Sequence, residues 1–541
     1  MFSQQVIVVW LACLLMSVFS RAAFEEDRHD NVTELRDTFA TRVADDSFTN
    51  PIIYEDLADL DVFRVDDAWY YSASTMHHSP GAPILRSYDL VNWEYIGHSV
   101  PSLEWSSEYD LAGDERAYVK GIWASTMRYR QTDGKWYWIG CIEFGKTYVY
   151  TALEVTGPWI LAATLDTCFY DAGLLIDEDG TMYVAYGNTQ ISVAQLSSDG
   201  LSIVKTQRIY SSPGNIGTLE GSRMYKYDGN YYILVTRPAT SEYVLKASSP
   251  FGSYSIKALA QSVPPPVPGG GNPHQGGLVD TPDGNWYYMA FEDAYPGGRF
   301  PVLAPITWAS DGFPVLQTSS GGWGTSYPLP TAKHELPSLF GEDLFDNLRP
   351  AWEWNHNPDS SKFNVSEGLI LSTATVTDDL YAARNTLTHR IHGPISTSTI
   401  VMDVSNMADG DRAGLSLFRD HSAWIGVTND GNTLTVAMTS DITMDTSWRT
   451  TSKGTTVASA EIPNGIIHLR CTANISPGSG RTGTFSYSLD GENFTTLGRP
   501  LTLNTDWHYF LGYRWGIFNY ATKSLGGSVK VTSFTQTVSP K

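Results

Sequence analysis

Five times in the first 320 residues a short apolar run, a polar turn and an aromatic-rich run follow one another. The phrase is DLDVFRVDDAWYYSAS from Asp59, WASTMRYRQTDGKWYWIG from Trp123, DAGLLIDEDGTMYVAYG from Asp171, EGSRMYKYDGNYYILVT from Glu220 and HQGGLVDTPDGNWYYMAF from His274. Its turns fall at Asp66-Asp67, Asp133-Gly134, Asp179-Gly180, Asp228-Gly229 and Asp283-Gly284. Asp-Gly between apolar runs predicts a hairpin of type I′, which needs positive φ at both central residues. A second β-rich segment follows each hairpin, for example ILRSYDLVNWEYIG and TYVYTALEVTGPWIL. Units of this kind, repeating every roughly 45 to 65 residues, predict a five-bladed β-propeller with four strands per blade. A β-sandwich would not explain five copies of one hairpin phrase.

The pattern is interrupted at residues 264–271 (PPPVPGGG), which cannot continue a ladder and predict a loop over one face. Residues 321–337, rich in Gly, Pro and Ser, predict an exit linker. Beyond about Leu344 come alternating strands such as GLILSTATV, TSTIVMDVS, RAGLSLFRD and TLTVAMTS without the repeat, which predicts a β-sandwich. The expected organisation is all-β: a signal peptide over 1–22, a propeller over 45–320, a linker over 321–340 and a sandwich over 341–541.

Composition narrows the partners. The net charge of -22 argues against nucleic acid and anionic membranes, which repel a polyanion; solubility alone accounts for the charge equally well. The apolar run from Val6 to Phe19 has the length of a secretory signal, although Met1 to Gln5 carries no Lys or Arg. No later stretch reads as transmembrane. Sequons start at Asn31, Asn364, Asn474 and Asn493, and a secreted, extracellular glycoprotein is the expectation. Cys13 leaves with the signal. Two readings of Cys141, Cys168 and Cys471 stay open: a Cys141–Cys168 disulfide with Cys471 unpaired, or three buried free thiols.

The repeat also carries the candidate chemistry. Eight residues separate Asp59 from Asp67, Asp171 from Asp179 and Glu220 from Asp228. Inner strands of a propeller line its axis, so these three acids are expected at one mouth, with Trp123 and His274 in the same slot of units two and five. Partly desolvated carboxylates held together repel, and at least one pKa rises. A glycosidase needs this difference: one acid protonated for the leaving oxygen, another ionised to activate water. Capping of strand ends, or cation binding in the channel, is the bland alternative. His77 and His78 fall in a loop after the first hairpin, near the expected mouth, and stand outside the catalytic set.

The phrases NPIIYEDLADLDVF, PGAPILRSYDLVNWEYIGH, GIWASTMRY, YDAGLLIDEDGTMYV, LEGSRMYKYDGNYY and GRFPVLAPITW resemble glycoside hydrolase family 43, the arabinanase and β-xylosidase family of five-bladed propellers. The resemblance implies Asp59 as general base, Glu220 as general acid, and Asp171 as the third acid that tunes and holds Glu220. It implies Trp123 and Arg299 on the sugar. His274 would help hold a hydrated calcium or other ion near the axis, with no cofactor required for the chemistry. The usual Asp-Pro-Ser is here Asp59-Leu60-Asp61, so Asp56 and Asp61 compete for the role of base, and strand alternation puts Asp61 on the face of Asp59. The C-terminal half resembles the concanavalin-like sandwich of β-xylosidase-type members, with a purely stabilising role favoured over substrate contact. The implied activity is inverting exo-hydrolysis of terminal pentosyl residues of arabinoxylan, as α-L-arabinofuranosidase or β-D-xylosidase. An endo-acting arabinanase and a non-catalytic carbohydrate-binding propeller are the alternatives.

Overall fold

The computed structural model describes residues 46–431 and 433–539. The expected signal peptide and the Asn31 sequon lie outside them. The first half is a ring of five four-stranded antiparallel blades. Blade 1 is Asp61–Val65, Ala68–Ser72, Gly81–Ser87 and Trp93–Val100, and blade 2 is Thr126–Arg130, Lys135–Ile142, Lys146–Ala152 and Ile160–Leu165. Blade 3 is Gly173–Ile176, Met182–Tyr186, Gln190–Leu196 and Ile203–Ser211. Blade 4 is Glu220–Tyr227, Asn230–Arg237, Ser241–Ala247 and Ser255–Gln261, and blade 5 is His274–Asp280, Trp286–Asp293, Arg299–Trp308 and Pro314–Leu316.

The aromatic-rich second strand of each repeat has a packing reason. Blades stack face to face, so a middle strand is covered on both sides and does not alternate. Ala68–Ser72 is buried at every position. The outermost strand Ile203–Ser211, by contrast, has no buried residue and carries the polar run Lys205, Thr206, Gln207 and Arg208 at its centre. Several contacts close the ring, among them these three. Ser47–Thr49 pairs with Ser326–Pro328, Arg64 of blade 1 forms a 2.5 Å ion pair with Asp280 of blade 5, and the Trp69 indole donates to the Asp280 carbonyl. The stretch expected as a plain linker therefore carries a closing strand and a buried Trp323.

The hairpins are less uniform than their turns suggest. Blades 1 and 4 have two-residue turns, while the loops of blades 2, 3 and 5 are longer. Positive φ at both central residues occurs at Asp228-Gly229; at the other Asp-Gly pairs the glycine alone adopts it. The extra loop residues let a type I-like turn reverse the chain, which removes the type I′ requirement.

The second half is a sandwich of a nine-stranded and an eight-stranded antiparallel sheet. In the nine-stranded sheet Ile395–Asp403 and Ile466–Asn474 alternate buried and partly exposed residues, as one-sided burial demands. Arg514–Ala521, in the other sheet, is buried throughout, because that sheet is covered on both faces. Its outer face meets the propeller, where Met76, Tyr118 and Val119 join Tyr381, Phe418, Trp424 and Phe518 in one cluster. The edge strand of this sheet comes from the propeller: His78–Ser79 pairs with Trp354–Asn355. His77 and His78 thus do not lie at the mouth. They are buried at the domain interface with His356, and desolvation holds His77 and His78 well below the ordinary imidazole pKa.

Candidate active site

Left-handed backbone at matching places in the blades sets the site. Asp59 has φ 55° and Asp171 φ 50°, each two residues ahead of its inner strand. Asp tolerates this conformation better than most residues because its short polar side chain bonds locally. In blades 4 and 5 the left-handed residues are Gly221 (φ 70°) and Gln275 (φ 45°), inside bulges that follow Glu220 and His274. Blades 1 and 4, with equal turns, superpose Val65 on Tyr227, Asp61 on Arg223 and Asp59 on Gly221. Glu220 therefore stands at the place of Ala58, one residue upstream of the position Asp59 and Asp171 occupy. The shared count of eight arises because it ends on the second turn residue in blade 1, on the first in blade 4 and inside a longer loop in blade 3.

The three acids nevertheless meet. One cavity of about 560 Å³ is lined by Asp59, Asp171, Glu220, Trp123, His274 and Arg299, all six of the expected site residues. A second cavity of about 530 Å³ lies between blade 1 and the sandwich and holds none of them. Of its carboxylates, Glu94 accepts from Arg86 and Asp343 from the Trp352 indole.

Each acid has its own surroundings. Asp59 is buried, and its Oδ1 accepts Arg299 Nη1 at 2.9 Å. The Arg299 guanidinium lies against the rings of Phe291 and Phe510 and donates from Nε to the Phe510 carbonyl. Burial works against its charge, but Asp59, Tyr295, Asp56 and Asp293 outweigh burial and raise its pKa. Glu220 accepts the Tyr170 hydroxyl at 3.1 Å and the Asn188 amide at 2.5 Å, both on Oε2. Desolvation raises the Glu220 pKa and the Asp59 charge adds to the rise, against the two hydrogen bonds. Asp171 accepts the Gly221 N–H at 2.9 Å, so it holds the backbone next to Glu220. Desolvation, then the charges of Glu220 and Asp59, push Asp171 well above the usual carboxylate range.

The two rivals for the role of base are used up in the framework. Asp61 is fully buried, and its Oδ2 accepts the Thr126 hydroxyl, the Met127 N–H and Arg128 Nη1 of blade 2. It does not share the face of Asp59, because the left-handed turn at Asp59 breaks the alternation before the strand begins. Asp56 ties the Arg299 N–H on Oδ1 to the Gly512 N–H of the sandwich on Oδ2.

His274 is buried, with Nδ1 on the Asn272 carbonyl and its ring edge-on to Phe291. Calcium takes six to eight oxygen ligands. Among the described residues no group of three or more His, Cys, Asp or Glu side chains is placed to hold a metal. The expected ion is a hydrated one held through water near His274, and no step below depends on it. A disulfide joins Cys141 of blade 2 to Cys168 in the link to blade 3, and Cys471 is a buried free thiol in the sandwich.

Tyr170 and Asn188 escaped the sequence reading, though Tyr170 directly precedes Asp171. So did the sandwich wall: Thr505, Trp507 and Phe510 line the cavity. The second domain thus reaches the cavity, which is the placement that substrate contact, the less favoured of the two expectations, requires. Phe510 packs edge-on to Trp123, and the exposed Trp507 stacks on His508 at the rim.

Comparison with known proteins agrees with this geometry. Residues 48–314 match the glycosyl hydrolases family 43 description, and residues 342–536 match the β-xylosidase C-terminal concanavalin A-like domain. A solved family-43 structure is 50% identical over 91% of this chain and 99% of its own, with a TM-score of 0.88. The chain belongs to glycosyl hydrolase family 43. That solved member comes from work in which active-site engineering generated an enzyme with both endo-xylanase and exo-arabinofuranosidase activity. A β-xylosidase of Formosa agariphila is 27% identical over 91% of this chain and 90% of its own length. A non-reducing end α-L-arabinofuranosidase of Bacteroides ovatus is 30% identical over 60% of this chain and 64% of its own. The chain is accordingly a glycoside hydrolase with a polysaccharide or oligosaccharide substrate.

Proposed function

We propose that this glycosidase is an inverting exo-α-L-arabinofuranosidase acting on arabinoxylan. The observation that carries the mechanism is the unlike treatment of two carboxyls in one cavity: Asp59 is ion-paired to Arg299, while burial raises Glu220. In this reading Glu220 acts as general acid. Its two hydrogen-bond donors both address Oε2, which leaves Oε1 to carry the proton to the glycosidic oxygen. Asp59 has one donor, on Oδ1, and Oδ2 takes the proton of the attacking water. The C–O bond to the leaving chain breaks as the water oxygen bonds the opposite face of the anomeric carbon. Glu220 ends ionised and Asp59 protonated, and one proton exchange with solvent resets both. Single displacement of this kind requires roughly 6.5–9.5 Å between the two carboxyls.

The sandwich wall at Thr505, Trp507 and Phe510 supports an exo mode, because a groove for internal cleavage of arabinan is open at both ends. The 50% identity to a structure tied to exo-arabinofuranosidase activity supports arabinose. A β-D-xylosidase is the second reading, favoured by the full-length likeness to the Formosa β-xylosidase. We place the enzyme outside the cell: the apolar N-terminal run and the Cys141–Cys168 disulfide suit an oxidising compartment. Incubation with arabinoxylan, followed by proton NMR of the first product, tests sugar and stereochemistry together. Free β-L-arabinofuranose as first product is expected. Retained α-anomer overturns inversion, xylose overturns the sugar, and no release from any glycoside returns the protein to a binding role.

A further inference from the structure

We infer that Arg223 is the positioning residue that holds the base segment and the third-acid segment in register with the general acid. The inference rests on the roles proposed above for Asp59, Asp171 and Glu220. Arg223 lies three residues after Glu220 and is fully buried. Its guanidinium donates to backbone carbonyls of three blades: Nη2 to Asp59 at 2.8 Å, Nε to Leu60 at 2.9 Å, and Nη1 to Ala172 at 2.7 Å and Ser222 at 2.9 Å. Three of these carbonyls, those of Asp59, Leu60 and Ala172, belong to, or directly follow, the two acids with left-handed backbones, and the fourth lies next to Arg223 itself. Each such non-glycine residue costs about 1–3 kcal/mol and persists because its surroundings over-determine it. Arg223 supplies that restraint. The planar fork of five N–H groups suits the task, and a lysine cannot reach several carbonyls in one plane.

Arg223 is also a buried cation beneath three acids. Its nearest carboxylate oxygen, Asp61 Oδ1, is 3.8 Å from Nε, beyond hydrogen-bond distance. Its charge opposes the upward push on Asp171. Removing the charge therefore favours protonated carboxyls, and the acid limb of the pH profile moves to higher pH.

Arg223→Met, Arg223→Gln and Arg223→Lys test this with kcat, KM, the pH profile and circular dichroism on one substrate, nitrophenyl arabinofuranoside. Met and Gln variants are expected to lose about 100-fold in kcat per folded molecule, as a misplacement of about 1 Å does, with KM little changed. Their acid limb is expected to rise by about one pH unit, and Arg223→Lys is expected to restore the limb without restoring kcat. Activity lost only in proportion to the folded fraction, with the limb unmoved, overturns the inference in favour of a purely structural role. Wild-type kcat in the Met variant overturns it outright. Asp59→Ala on this substrate and Glu220→Ala on arabinoxylan, whose leaving group needs protonation, run alongside: if either keeps wild-type activity, the assignment of acids has failed rather than the part given to Arg223.

Discussion

The cavity has two walls of different origin. The propeller wall presents ionisable side chains: four acids, Asp59, Asp171, Glu220 and Asp293, with Arg299 and His274, from blades 1, 3, 4 and 5. The sandwich wall presents Thr505, Trp507 and Phe510 from a short segment around the 3₁₀ turn Trp507–Tyr509, with no carboxylate facing the sugar. Chemistry lies on the repeated wall and shape on the unrepeated one. The walls are joined where Arg299 and Tyr295 donate to the Phe510 carbonyl and Asp56 accepts Gly512. A ring built from repeats delivers side chains to its axis many times over, so acids can be placed there without new architecture. Closing one side of the cavity needs a second domain.

Breaking the propeller wall has the largest effect. Glu220→Ala and Asp59→Ala are each expected to lower kcat on arabinoxylan about 10²–10⁴-fold, with KM changed far less. On nitrophenyl arabinofuranoside, whose leaving group needs little protonation, Glu220→Ala is expected to recover most of its loss and Asp59→Ala none. Equal loss on both substrates contradicts the division of roles.

Separating the walls comes next. A Cβ on Gly512 meets the Gly297 carbonyl oxygen at 2.0 Å and the Gly298 nitrogen at 2.8 Å, both of them backbone that cannot yield cheaply. Gly512→Ala is expected to cost about 1–3 kcal/mol, seen as a lower Tm, and to raise KM as the Phe510 segment shifts. An unchanged KM shows that the sandwich wall does not touch the sugar. Trp507→Ala should remove an aromatic contact worth about 0.5–1.5 kcal/mol, which raises KM on polymeric arabinoxylan about 2- to 10-fold and leaves the small nitrophenyl substrate unaffected. The smallest expected effect is electrostatic. The Tyr170 hydroxyl favours ionised Glu220, so Tyr170→Phe raises the Glu220 pKa further. The acid then stays protonated to higher pH, and the basic limb of kcat/KM moves up. A limb that moves down assigns it to another group.

What could be read from the chain follows the same division. Five copies of one hairpin phrase were enough for the propeller, and the acids at their starts were enough for a shared site. The finer register was not legible: turn lengths vary between blades, and the left-handed residues that set the bulges leave no mark in composition. Asp61 illustrates this. Beside Asp59 in sequence it passes for a second candidate base, and only the break in alternation at Asp59 sends it into blade 2. Phe510 and Trp507 had no signal, because their role depends on how two domains dock. Buried arginines such as Arg223 are likewise invisible, since nothing local distinguishes a buried Arg from a surface one.

The exchange of His78–Ser79 into the sandwich sheet bears on how such enzymes diversify. A chain cut between the halves would leave Trp352–Asn355 as an unpaired sheet edge, ready to template aggregation. The two halves are therefore not freely interchangeable modules. Shuffling a new sandwich onto this ring requires carrying the short segment around His78 with it, and inheritance of the pair as one unit is the arrangement that avoids a sticky intermediate.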